Sequence, residues 1–289
     1  MDALARFYDY VLRAPWNNCI VDDELSIARG LVRSALSFPF PPVYEAPDLA
    51  CPRSILVTYA TRAALPDKVL ARLRDANPGF EVVFMSDADC VGFLRASYSP
   101  WHAERFAAIP DGPIRADFIR MYYLAIHGGY YCDADLVPLG PLPVCDEPGI
   151  AVPYDARKGR LKYLNPCFIA CTPRHPVMQT AVRFHSHVLR TAPYSYWAYS
   201  VVHILSYVNA KMGAPIRRTL TERWPRRRLC DRGLHGCTIV DERTGEALFR
   251  VRDADYVPTV GYTARGDARA LGWAAWMPRA VVRCVMYFV

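Results

Sequence analysis

The stretch from Pro113 to Leu142, PIRADFIRMYYLAIHGGYYCDADLVPLGPL, constrains the fold more than any other part of this chain. Ile114 to His127 holds no Gly or Pro, and Phe118, Met121, Tyr122, Ala125 and Ile126 recur at helical spacing. Asp111 or Gly112 is the expected entry, with Pro113 in the first turn, where a missing N–H costs nothing. Gly128-Gly129 predicts a sharp stop, because glycine accepts the left-handed conformation that helix ends use. Tyr130-Tyr131-Cys132 suits a strand. Asp133-Ala134-Asp135 follows it, before Pro138 and Pro141 close the segment. Two carboxylates one residue apart at the end of a strand can face one hard divalent cation, which wants oxygen ligands.

The flanking sequence supplies a sheet for that strand. Ser54 to Tyr59 (SILVTY) reads as a buried parallel strand. Pro66 opens a helix to about Ala76, Asn77-Pro78-Gly79 is a turn, and Glu81 to Met85 is a second strand. A short helix to about Ala96 follows. Strand, helix, strand, helix predicts an α/β fold, with a parallel sheet carrying helices on its faces. Further strands are expected at Ile150–Val152, Phe168–Cys171, Thr238–Val240 and Ala247–Val251, and helices at Val177–Thr191 and Ala198–Met212. Residues 1–50 read as a helical appendage ending in the linker Phe38-Pro39-Phe40-Pro41-Pro42, since proline at that density resists helix and central strand. The main domain is then 51–289. Ligands of open α/β sheets bind outside the carboxyl ends of strands, where Tyr59 and the Asp133/Asp135 pair both fall.

A lone D-x-D is weak. With 20 Asp in the chain, independent placement yields roughly one or two matches, and this chain carries three identical DAD triplets. Asp87–Asp89 precedes a helix, so Asp87 or Asp89 is expected to cap it. Asp253–Asp255 lies in a polar, Arg-rich stretch and reads as a solvated turn. Only Asp133–Asp135 has apolar sequence on both sides and a Gly-Gly before it. The helix that precedes it carries Asp117 and Arg120, three apart and so on one face. Charges in an otherwise apolar helix are expensive unless paired or used. They read either as an internal ion pair, or as a site in which Asp117 binds hydroxyls and Arg120 offsets carboxylate or phosphate charge.

Composition excludes several classes. The 289 residues are 52% hydrophobic and 22% charged, ordinary for a globular protein. A net charge of +7 favours anionic ligands without selecting among them. The basic cluster at Arg217-Arg218, Arg223 and Arg226–Arg228 reads as a solvated loop or a phosphate contact; no aromatic interleaving or nucleic-acid module accompanies it. Ten cysteines without a C-x-x-C pair give zinc ribbons no support and fit reduced thiols in a cytoplasmic compartment. Cys230, His235 and Cys237 read as structural rather than as metal ligands. The opening MDALARFYDYVLRAPW is not a secretory signal, and no apolar run has spanning length. The apolar tail from Trp273 to Val289 reads as a packed terminal element, with weak membrane-surface contact as the alternative.

ADFIRMYYLAIHGGYYCDADLVPLGPL resembles the signature of the DXD-containing sugar transferases of glycosyltransferase family 32, which include Golgi initiating mannosyltransferases and inositol phosphoceramide mannosyltransferases and are similar to glucosylating bacterial toxins. Asp117, Arg120, Gly128, Gly129, Tyr131, Asp133 and Asp135 match its pattern without gaps. CPRSILVTYATRAALP and NPGFEVVFMSDADC resemble the family's first two strands, and Asn165 and His175-Pro176 fall at further family positions, so the resemblance covers about Cys51 to Val182. Leu56 stands where many members have His, and the family's late His before a Trp has only Trp273 or Trp276 as counterparts.

The resemblance implies a GT-A-type fold, with 51–182 as the nucleotide-sugar-binding core and 183–289 as the acceptor side. It implies a nucleotide-diphosphate sugar donor, UDP- or GDP-linked, with Mn²⁺ or Mg²⁺, and a glycan, lipid or protein hydroxyl as acceptor. Asp135 would ligate the metal directly and Asp133 through water. Asp117 would hold donor-sugar hydroxyls, Arg120 would neutralise charge beside them, and Tyr59 would stack on the base, with Thr58 and Asn165 also lining the donor site. Family members retain anomeric configuration, which implies front-face attack. Two rivals remain open. Asp133-Ala134-Asp135-Leu136-Val137 also fits the nucleophile loop of a haloacid-dehalogenase-type phosphatase, though that motif normally opens its domain. A catalytically inactive nucleotide-sugar-binding module is the non-enzyme alternative.

Overall fold

A computed structural model describes residues 37–40, 49–143, 149–155, 163–191, 199–212, 218–223, 238–241 and 243–251. The helical appendage expected over residues 1–36, the Asp253–Asp255 triplet, Arg226–Arg228, Cys230, His235, Cys237 and the apolar tail lie outside the described residues.

The first half follows the alternation read from sequence. Strand β1 (Ser54–Tyr59) leads through helix α1 (Asp67–Ala76) to β2 (Glu81–Ser86), parallel to it. Helices α2 (Asp87–Ser97), α3 (Pro100–Ala108) and α4 (Gly112–His127) precede β3 (Gly129–Cys132), which pairs parallel on the other side of β1. Then come β4 (Leu136–Pro138), β5 (Ile150–Asp155), β6 (Tyr163–Leu164), β7 (Phe168–Cys171), helices α5 (Pro176–Thr191) and α6 (Val201–Met212), and β8 (Arg218–Arg223), β9 (Thr238–Asp241) and β10 (Ala247–Val251). Among the described residues these strands form one mixed sheet in the order β2-β1-β3-β7-β5-β8-β9-β10-β4, with β6 on β5. The expected α/β architecture, a central sheet flanked by helices, is what the chain adopts. The sheet draws strands from both sides of residue 182.

Alternation along the strands builds two cores, one on each face. Leu56 of β1, Tyr131 of β3 and Ile169 of β7 join α4, α5 and α6 in one. Ile55, Val57, Tyr130, Cys132 and Phe168 join α1 and β10 in the other. Burial on both faces explains why these strands read as continuous apolar runs. Phe38 and Phe40 pack on Phe184 of α5, with ring centroids 5.2 and 6.3 Å away, so this piece of the expected linker lies against the domain.

β3 and β4 stand far apart in the sheet order, yet only residues 133–135 separate them. Four residue steps reach about 14 Å at full extension, so the sheet must curl until its β10–β4 edge comes round to β3. Across that curl Phe168 meets Phe249 at 5.0 Å. β10 then holds β4 antiparallel, with Val251 opposite Leu136.

Four elements escaped the sequence reading, and one detail is corrected. The α3 helix starts at Ser99, whose hydroxyl accepts from the His102 N–H, with Pro100 behind it; its nine residues carry too weak an apolar stripe to stand out. β4 and β6 are two or three residues long and exist through pairing alone. β8 lies in the Arg-rich stretch read as a loop, and Leu220 is its buried anchor. The cap of α2 is Ser86 rather than Asp87 or Asp89: its hydroxyl accepts from the Asp89 N–H, while the Asp89 carboxylate accepts from the Ser86 N–H in a capping box. Asp87 instead pairs with Arg115 at 2.6 Å.

Candidate active site

Tyr131 is where the geometry of the acidic turn begins. Because β3 alternates, its ring faces α4 while its neighbours face away. The Arg120 guanidinium lies over that ring, 4.3 Å from the centroid, and the phenol donates to Asp133 Oδ1 at 2.7 Å. Burial, more than any other influence, raises the Tyr131 pKa well above the ordinary phenol value, so the group stays a donor.

Arg120, 4% exposed, joins everything at the site. Its Nη2 lies 3.1 Å from Asp117 Oδ1 and 3.1 Å from Asp133 Oδ1. Nη1 donates to the Pro166 carbonyl at 2.6 Å and Nε to the Ala116 carbonyl at 3.1 Å. Burial works against its charge, but Asp133, Tyr131 and Asp117 outweigh it and the pKa moves up. The sequence left an Asp117–Arg120 ion pair and a shared site as alternatives; the pair forms, and the same guanidinium also reaches the acidic turn.

Asp117 is buried, and its second oxygen is taken up by the start of α6. Oδ2 accepts from the Ser200 hydroxyl at 3.1 Å and from the Val201 N–H at 3.0 Å. A carboxylate at a helix N-terminus meets unsatisfied N–H groups and the positive end of the dipole. Burial dominates even so and raises its pKa to about 6. Ser200 was not anticipated as part of the site. Its position just before an apolar helix is a capping signal, but nothing in the sequence says that the capped partner is Asp117.

The acidic turn is braced from below by the turn at 165–167. Asn165 Oδ1 accepts from the Cys167 N–H at 3.1 Å, and the Cys167 carbonyl accepts from the Asp133 N–H at 2.8 Å. Asn165, expected to line the donor site, therefore shapes the turn whose carbonyls hold Arg120 and Asp133. Asp133 and Asp135 are both part-exposed at the carboxyl end of β3, with Asp133 at 29%. Among the described residues no group of three or more His, Cys, Asp or Glu is placed to hold a metal ion. Two hard oxygen donors facing solvent suit a cation that takes its remaining ligands from water and from phosphate.

Tyr59 and Thr58 close β1 beside the site. Thr58 is buried with its hydroxyl beside the Tyr131 phenol, and Tyr59 is 3% exposed within the second core cluster. A ring so enclosed has no open face for a base as it stands.

The geometry defines a class of site: a buried Asp–Arg pair on a helix, joined to a two-carboxylate turn at the carboxyl end of an inner strand. Residues 67–151 match the model of the family described as the glycosyltransferase sugar-binding region containing DXD motif. The chain is 27% identical over 149 residues to the mannosyl phosphorylinositol ceramide synthase of Saccharomyces cerevisiae, covering 50% of this chain and 38% of that protein. It is 29% identical over 97 residues to inositol phosphoceramide mannosyltransferase 3 of Schizosaccharomyces pombe, covering 32% of this chain and 27% of that one. The matched parts are thus well under half of either relative's length. Among solved structures, the PaToxG glycosyltransferase aligns over 71% of this chain and 80% of its own at 12% identity, with a TM-score of 0.45.

Proposed function

We propose that this chain is a metal-dependent, retaining hexosyltransferase of GT-A type that moves a sugar from a UDP- or GDP-linked donor to an acceptor hydroxyl. The observation that carries the reading is Arg120. One buried guanidinium ties the D-x-x-R helix to the D-x-D turn, which brings Asp117, Arg120 and Asp133 of the family pattern into a single constellation, with Asp135 two residues further along the turn. The names of the relatives favour mannose as the sugar and an inositol phosphoceramide-like lipid as the acceptor. The family match leaves a phosphatase without support, and the intact constellation argues against an inactive module. Ten cysteines without a C-x-x-C pair favour a reducing, cytoplasmic-like compartment.

In this reading the donor lies across the carboxyl ends of β1 and β3. A Mn²⁺ or Mg²⁺ ion held by Asp133 and Asp135 would supply Lewis-acid stabilisation to the departing diphosphate. Arg120 holds Asp133 in place and keeps the carboxylates from repelling one another. Asp117, fixed by Arg120 and Ser200, faces the sugar hydroxyls. The transition state carries oxocarbenium character, which nearby carboxylates stabilise, and the leaving phosphate takes the acceptor proton at the front face. Tyr59 would have to swing out of its core position to stack on a base.

The test is thermal stabilisation across UDP- and GDP-sugars with and without Mn²⁺, followed by turnover with lipid acceptors. One donor should raise the melting temperature only with the ion, and Asp133→Asn and Asp135→Asn should abolish both that rise and transfer. Full metal-dependent transfer by either variant would falsify the assignment.

A further inference from the structure

On the side of α4 away from the sheet, α3 and α5 are joined by a short polar chain. His102 Nδ1 lies 2.8 Å from Ser99 Oγ, and its Nε2 lies 3.1 Å from Ser186 Oγ. Ser186 Oγ is in turn 2.8 Å from the Tyr122 hydroxyl of α4. This chain fixes the register of the two helices and with it what they present outward. Trp101 of α3 sits beneath two guanidiniums, Arg105 at 5.5 Å and Arg190 of α5 at 4.8 Å. Both arginines are exposed, and among the described residues neither pairs with a carboxylate. The basic stripe continues along α5, where Arg183, His187 and Arg190 recur at spacings of four and three. All sixteen residues of α5 lack Asp and Glu. Glu104 is the nearby acidic side chain on α3.

Two exposed guanidiniums on an indole, held on helices, match an anionic surface and carry a ring that favours a polar–apolar boundary. A base-stacking role suits the patch poorly, because stacking needs open aromatic faces along a groove and the ring here is already covered by Arg105 and Arg190. We propose that the Trp101–Arg105–Arg190 platform docks this chain on an anionic phospholipid membrane. The docking stands whether or not the chain transfers a sugar.

Vesicle flotation of the full chain tests it, using phosphatidylcholine alone against phosphatidylcholine with phosphatidylserine. Binding should require the anionic lipid and fall as salt shortens the screening length. Arg105→Gln with Arg190→Gln should weaken it roughly thirtyfold, about five- to sixfold for each cation lost near the surface, and Trp101→Ala should weaken it too. The charge-matched pair Arg53→Gln with Arg74→Gln, on exposed positions elsewhere, should stay within about twofold of wild type. Near-ultraviolet circular dichroism checks that each variant is folded. Equal loss in both pairs, binding indifferent to anionic lipid, or binding of a single-stranded oligonucleotide in place of vesicles overturns the proposal.

Discussion

Asp117 is a carboxylate whose burial opposes the charge that its partners favour. Its pKa moves from 3.8 to about 6, with burial as the leading cause, so the folded chain holds this proton more tightly than the unfolded one. The stability gained that way is complete below about pH 4 and is lost as pH rises through about 6. Urea midpoints between pH 4 and 7, measured without metal, should therefore decline more steeply for wild type than for Asp117→Asn. Parallel curves would show that burial is not what governs this group. The sequence displayed Asp117, Arg120, Asp133 and Asp135 because their spacing is local. Ser200 and the Pro166 carbonyl stayed hidden, since they reach the site only through packing between elements distant in the chain.

At the scale of elements, the junction of α4 and β3 sets the separation between Arg120 and the acidic turn. Gly128 has φ 63° and Gly129 φ 89°, both in the region where a side chain is strained. A methyl group on Gly129 would meet Ser54 Oγ at 2.6 Å and the Ser54 carbonyl at 2.8 Å, inside the strand that pairs with β3. Gly129→Ala should cost about 3 kcal/mol, the upper end of single-residue backbone strain, and should lower donor binding along with the melting temperature. An unchanged melting temperature would mean that the turn relaxes freely. This junction was plain in the sequence because glycine pairs have few other uses between a helix and a strand. The cap of α2 is Ser86 rather than Asp87 or Asp89 for the opposite reason: serine and aspartate both cap, and all three crowd the same turn.

For the whole molecule, the parallel β2-β1-β3 half and the strands β9 and β10 are readable from their apolar runs, whereas β8 and the pairing that carries the sheet back to β4 are not. β8 lies among arginines, and register between distant strands leaves no local mark. The pairing of β10 with β4 gives the far side of the acidic turn its anchor. Arg250→Pro removes a ladder donor opposite Val137. Hydrogen exchange should then show lost protection at residues 136–138, while Ile55 to Val57 in β1 remain protected. Protection kept at β4 would mean that β10 does not support it.

Leu136 is held by Val251, more than a hundred residues later in the chain. At about 5 to 20 residues per second of synthesis, the acidic turn is made roughly 5 to 25 s before the strand that anchors its exit exists. Through that interval the nascent chain carries Asp117, Arg120, Asp133 and Asp135 complete in sequence, with one end of the turn untethered. A ribosome that stops within that window releases a product with an intact motif and an unfinished site.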